Sequence, residues 1–115
     1  MGVDFIGHGD LSLHWQAWRA CFDLAVAFGW TPVGTIASGD YSDPAPWRGT
    51  YFTNDLQEVA DDDARALAAA LHQARTALRT KTRLTKEQTQ AWEGMNINMV
   101  GRLADYAEKG GFAIL

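Results

Sequence analysis

WRGTYFTNDLQEVADDDARALAAALHQARTAL, residues 47–78, is the stretch that decides the fold, because it reads as a strand, a turn and an amphipathic helix in succession. Tyr51 and Phe52 are of the aromatic type that fits a half-buried strand, and residues 53–55 are Thr, Asn and Asp, which favour turns. Residues 56–59 would then return antiparallel. The pattern therefore predicts a β-hairpin over residues 51–59.

A long helix is predicted directly after that hairpin. Asp61, Asp62 and Asp63 place acceptors and negative charge where a helix start has free N–H groups and a positive dipole end, so we interpret them as a helix cap. Apolar residues then recur at steps of three and four, the period of a helix with one buried face. This apolar stripe consists of Ala64, Leu67, Leu71, Ala74 and Leu78.

The amino-terminal third predicts another helix, which is apolar over more than half its circumference and should lie centrally. Ser12 is typical of a helix cap, and Gly29 followed by Pro32 is typical of a helix end. Its main apolar face comprises Trp15, Trp18, Phe22, Ala25 and Phe28.

The carboxyl-terminal third predicts two further helices. Thr85 and Gln88 have the spacing of a capping box, which begins a helix through Trp92. Apolar residues at helical spacing from 97 to 107 mark the next helix, which Gly110 and Gly111 end. Short strands are predicted over residues 3–6, 33–37 and 112–115.

Together these elements predict one α+β domain over residues 1–115. It is mainly helical, with about four helices and a small antiparallel sheet that includes the 51–59 hairpin. If the short strands are loops, the alternative is an all-α bundle, because periodicity does not separate the two for such brief runs.

Composition excludes some functional classes and favours others. The chain has 115 residues, a formal net charge of −4 and 47% hydrophobic residues, which indicates a folded and mildly acidic globule. That charge disfavours binding to nucleic acid or an anionic membrane. A single cysteine, Cys21, excludes an internal disulfide, so a cytoplasmic location is the simplest expectation. No cofactor motif is present, and we predict no cofactor.

Most of the chain resembles a family of small bacterial proteins of unknown function. The resemblance is carried by WQAWRACFDLAVAFGWTPVGT, WRGTYFTNDLQEV, DARALAAAL and KGGFAIL. These motifs consist of aromatic, glycine and small apolar residues, which serve packing and turns. The resemblance implies no activity.

The loop at residues 38–46, with Trp47 directly after it, is the predicted partner-binding surface. It combines Pro, Gly, Ser and Asp with Tyr41, and exposed Tyr and Trp are enriched at protein-binding hot spots. Trp47 instead folds back onto the sheet in the alternative interpretation. The candidate partner-binding residues are Asp40, Tyr41, Asp43 and Trp47.

Two other sites are kept as alternatives. His8, Asp10 and His14 would form a metal site if the loop at residues 7–9 folds back over the helix start. A basic stripe on the long helix would meet nucleic acid or an acidic protein, although such a stripe is usually a solvated flank. The stripe comprises Arg65, His72, Arg75 and Arg79, with Arg83 beyond them.

We therefore expect a non-enzymatic protein-binding module, of the type used as a small acidic inhibitor, immunity protein or phage-encoded antagonist. The partner is another protein. A metal-dependent enzyme that uses His8, Asp10 and His14 is the second hypothesis. A nucleic-acid-associated protein that uses the basic stripe is the third.

Overall fold

A four-stranded antiparallel sheet packed against helices forms the architecture in a computed structural model. The structure describes residues 2–7, 11–32, 51, 57–80, 83–93 and 95–114. The strands are β1 (Gly2–Ile6), β2 (Leu11–His14), β3 (Gln57–Val59) and β4 (Phe112–Ile114). The helices are α1 (Trp15–Ala27), α2 (Asp61–Arg79), α3 (Lys86–Trp92) and α4 (Ile97–Glu108).

The α+β prediction is confirmed, and the all-α alternative is excluded by the sheet. The strand order is β2-β1-β4-β3, and every neighbouring pair is antiparallel. Strands predicted at residues 3–6 and in the tail are present as β1 and β4. The predicted strand at 33–37 lies outside the described residues, as does the turn of the 51–59 hairpin. Residues 57–59 of the predicted hairpin form β3, which pairs with β4, and Tyr51 is not part of a strand.

One face of the sheet carries the core. Its side chains alternate with exposed ones such as Asp4 and Ser12, as expected of a sheet that is covered on one side. Phe5 lies at the centre and contacts Trp18 of α1 and Tyr106 of α4, with ring centroids 5.1 and 6.1 Å away. The buried residues of this face are Phe5, Leu11, Leu13, Val59, Phe112 and Ile114.

The start of α1 differs from the prediction. Ser12 is not a helix cap: it lies in β2, where its hydroxyl donates to the Asp4 carboxylate across the strand pair. Burial in β2 alternates with a period of two, because Leu11 and Leu13 face the core. The helix begins at Trp15, and His14 is its N-cap, where the ring Nδ1 accepts from the backbone N–H of Gln16 at 3.3 Å.

The interpretation of the three aspartates as a cap is also wrong. Ala60 is the N-cap of α2 and makes no side-chain cap bond. Asp61 Oδ1 instead accepts from the backbone N–H of Gly111 at 2.6 Å. This bond connects the start of α2 to the residue directly before β4. Asp63 is buried. The acidic first turn still lies at the positive end of the helix dipole.

Both carboxyl-terminal helices are confirmed. The Thr85 hydroxyl accepts from the Gln88 backbone N–H at 3.1 Å, and Gln88 Oε1 accepts from the Thr85 backbone N–H at 3.0 Å. This is the capping box that the spacing predicts. In α4, the Asn96 side chain caps the first turn and Gly110 follows the end with φ of +117°.

The apolar stripe of α2 is buried for most of its length. Leu67 and Leu71 are completely buried, together with Ala64 and Ala74. Leu78 is the exception, because it is 39% exposed near the helix end.

Leu71→Ala should lower the free energy of unfolding by about 2–5 kcal/mol, through lost transfer energy and the cavity that remains. Leu78→Ala is the matched control on the same helix, and its loss should be well below that of Leu71→Ala. Denaturant unfolding measures both. A loss below about half a kcal/mol for Leu71→Ala would contradict the packing of this face.

Gly111→Ala should also destabilise the fold. A Cβ at position 111 would lie 2.6 Å from the carbonyl oxygen of Val59, so the backbone of β3 must shift. We expect a loss of about 1–3 kcal/mol in unfolding free energy. Gly101→Ala is the control, because the atoms nearest to a Cβ there belong to the flexible tip of Arg75, the first at 3.0 Å. An equal loss in both variants would contradict the proposed backbone clash.

Candidate functional site

The predicted partner-binding loop has described residues on both of its flanks. Trp30 is 3% exposed and Tyr51 is completely buried. Their rings stack with centroids 6.4 Å apart and planes 8° from parallel. The chain therefore leaves the core and re-enters it at the same place. The four candidate binding residues between these flanks lie outside the described residues: Asp40, Tyr41, Asp43 and Trp47.

Tyr51 is held through both its backbone and its side chain. Trp18 Nε1 of α1 donates to the Tyr51 carbonyl oxygen at 2.8 Å, and the Tyr51 hydroxyl donates to Asp63 Oδ2 at 2.6 Å. Both bonds are buried. Tyr51 has φ of +43°, a left-handed conformation that costs a non-glycine residue about 1–3 kcal/mol. These contacts hold it there and connect α1 with α2.

The other flank is fixed by the end of α1. Gly29 has φ of +101° and turns the chain, as predicted. The Trp30 backbone N–H then donates to the Ala25 carbonyl at 2.9 Å, and the indole packs edge-on against Phe22 with centroids 4.9 Å apart. Trp30 Nε1 is buried without a hydrogen-bond partner in the part of the chain that the structure describes.

Of the three residues of the amino-terminal metal hypothesis, the structure describes His14. His14 is exposed and caps α1, while His8 and Asp10 lie outside the described residues. His14 also borders a groove of about 280 Å³ between α1 and the start of α4. Two methionines, Met95 and Met99, supply much of its apolar lining.

The basic stripe of α2 lies along α4. The guanidinium of Arg75 rests on Gly101, and a guanidinium nitrogen of Arg65 is 3.7 Å from where a Cβ of Gly110 would stand. His72 lies between these two positions on α2. Arg79 is exposed in the last turn, and Arg83 is exposed beyond the helix. The two helices are therefore antiparallel, and the first three stripe residues border the seam between them.

A cluster of three titratable groups lies on that seam. His72 Nε2 is 3.7 Å from Glu108 Oε2 and 4.0 Å from Asp105 Oδ1. We refer to these three residues as the seam cluster. Sequence reasoning placed His72 in the stripe but missed both carboxylates, because only the pairing of α2 with α4 brings them together. Their i, i+3 spacing on one helix face was the available signal.

Cys21 is completely buried in α1. Burial raises the pKa of its thiol to about 12. The thiol is therefore protonated near neutral pH, and the thiolate is the reactive form of cysteine.

Comparison with protein-family models, with curated proteins and with solved structures finds no match. The resemblance to a family of small bacterial proteins therefore stays a prediction.

Among the residues that the structure describes, no helix is both long enough and apolar enough to span a bilayer.

Tyr51→Phe tests the buried link between α1 and α2. The variant keeps the ring and its stack on Trp30 but removes the hydroxyl that donates to Asp63. Hydrogen bonds to charged groups contribute about 1.5–3 kcal/mol, and we expect a loss of this size in unfolding free energy. Asp63→Asn keeps an acceptor at the same position and should lose less. An unchanged midpoint and slope in denaturant unfolding of Tyr51→Phe would contradict this role.

Proposed function

We propose that this protein is a protein-binding module that acts as a small acidic inhibitor, immunity-type protein or phage-encoded antagonist. Its partner is another protein. The binding surface is the loop at residues 38–46 together with Trp47, and the contacts come from Asp40, Tyr41, Asp43 and Trp47.

The stack of Trp30 on Tyr51 is the observation that best supports this proposal. It holds Trp30 and Tyr51 together on the core, eight residues before the loop and five residues after it. Binding residues on loops depend on a rigid scaffold for their position. Holding the chain at these two residues also reduces the conformational entropy that is lost when a partner orders the loop.

The residue types of the loop match a protein partner. Tyr41 and Trp47 offer large contact areas, and aromatic residues are enriched among hot spots. Asp40 and Asp43 add negative charge to a chain of net charge −4. Electrostatic complementarity then favours a partner with a basic face.

The contacts and positions of the basic-stripe residues support the nucleic-acid hypothesis less than the loop supports a protein partner. Arg75 lies on the backbone of Gly101, and His72 faces two carboxylates of α4. A phosphate near His72 would meet the negative charge of Asp105 and Glu108. Arg65, Arg79 and Arg83 are exposed but lie far apart, from the second turn of α2 to beyond its end.

Tyr41→Ala is the decisive variant for this proposal. The immobilised full-length chain captures proteins from a lysate of its source organism, and the affinity of a captured partner is then measured for each variant. We expect Tyr41→Ala to weaken binding of that partner by about 1–2 kcal/mol or more. The unfolding free energy of the Tyr41→Ala variant should stay within about half a kcal/mol of wild type, as for most surface substitutions.

Gln73→Ala is the matched control, because Gln73 is exposed on α2 and far from the loop in sequence. It should leave both affinity and stability unchanged. The proposal fails if Tyr41→Ala binds the partner as tightly as wild type. It also fails if Tyr41→Ala unfolds, because Tyr41 then belongs to the core.

A further inference from the structure

The seam cluster joins two helices that are held rigidly relative to each other. Beneath it, α2 and α4 pack through small and apolar side chains that are buried. These include Ala68 and Leu71 of α2 with Leu103, Ala104 and Ala107 of α4. The core therefore holds the two helix backbones that carry these groups at a fixed separation, although the side chains themselves extend into solvent.

The cluster offers three ligand atoms at nearly the spacing of a metal site. The imidazole nitrogen of His72 and the carboxylate oxygens of Asp105 and Glu108 all lie within 4.8 Å of one another. In a tetrahedral site with bonds of about 2.0–2.1 Å, neighbouring ligand atoms are roughly 3.3 Å apart. The two His72 distances of 3.7 and 4.0 Å exceed this by less than one ångström.

The side chains are able to make that adjustment. They are 37% exposed for His72, 71% for Asp105 and 66% for Glu108, so rotation of the carboxylates meets little steric resistance. The same exposure leaves the cluster open to solvent. A bound ion would therefore complete its coordination with water, as ions held by three protein ligands do.

We propose that His72, Asp105 and Glu108 bind one divalent transition-metal ion of the zinc type. An imidazole nitrogen suits zinc, nickel or cobalt better than magnesium or calcium, which prefer oxygen ligands throughout. The two carboxylates supply the negative charge that balances the ion. The test of this site does not depend on the proposed partner-binding function.

The ion would link α2 to α4. Because its ligands come from two helices, the folded chain binds it better than the unfolded chain does. Such a ligand raises the melting temperature by mass action. Arg75 lies one turn along the seam, but its guanidinium rests on Gly101, toward the start of α4.

The test is titration of the untagged full-length chain with zinc chloride, followed by calorimetry and thermal unfolding. We expect one ion per chain and a raised melting temperature. His72→Gln should weaken zinc binding by at least about tenfold, since loss of even an outer partner of a metal ligand weakens binding by about 10–100-fold. Asp105→Asn and Glu108→Gln should each weaken it as well. Magnesium chloride should produce no comparable shift.

Two matched controls make the result specific. His14→Ala removes an exposed histidine of the alternative amino-terminal site, and Asp62→Asn removes an exposed carboxylate of α2. Both should bind zinc as wild type does. Circular dichroism of each variant without metal confirms that it is folded.

A second readout is independent of stability. Cobalt(II) in a site of low coordination number gives visible absorption bands. These bands should appear with the wild-type chain and be absent with His72→Gln. The proposal is overturned if zinc does not bind, if His72→Gln binds as wild type does, or if His14→Ala abolishes binding. It is also overturned if magnesium shifts the melting temperature equally.

Discussion

The position of Tyr51 is the constraint on which the rest of the structure depends. Its backbone oxygen is bound by Trp18 of α1, its hydroxyl by Asp63 of α2, and its ring by the stack on Trp30. One residue thus fixes two helices relative to each other, directly before the segment that leads into β3. A left-handed backbone at a buried tyrosine persists only where the surroundings determine it this strongly. The same contacts bring together the two ends of a connection of some twenty residues.

Close packing of α2 with α4 is the second constraint. Ala68 and Ala104 are buried, and Gly101 leaves room for the guanidinium of Arg75 to lie directly on the backbone of α4. Small side chains let two helices approach closely, and interiors packed at this density resist displacement. Polar residues at the rim of such a seam, including His72, are therefore held at defined separations from the opposite helix. That is how a residue of the basic stripe comes to face carboxylates.

Local patterns in the sequence predicted the local structure well. The capping box of α3 and the apolar period of α4 concern residues within one or two turns, so no knowledge of the fold was needed. The segment Leu11–His14 was misassigned because four residues next to a helix fit the helical period as well as the period of two of a strand. Only pairing with β1 decides between helix and strand there. Asp61 and Asp63 bind partners 50 and 12 residues away. Those two bonds have no signature in the surrounding residues, and the local signal of the seam cluster is limited to the i, i+3 spacing of Asp105 and Glu108.

The geometry of α2 also separates the seam cluster from the contacts of Tyr51. Asp63 and His72 are nine residues apart, which is two and a half turns of an α-helix, so their side chains lie on opposite sides of it. The rise over that distance is about 13 Å. Asp63 faces Tyr51 and therefore the flanks of the loop, whereas His72 faces the rim of the seam with α4. An ion at the seam would affect Tyr51 only through the buried body of α2. That body is packed through fully buried Leu67 and Leu71 and resists small displacements, so an ion at the seam should leave the position of Tyr51 unchanged.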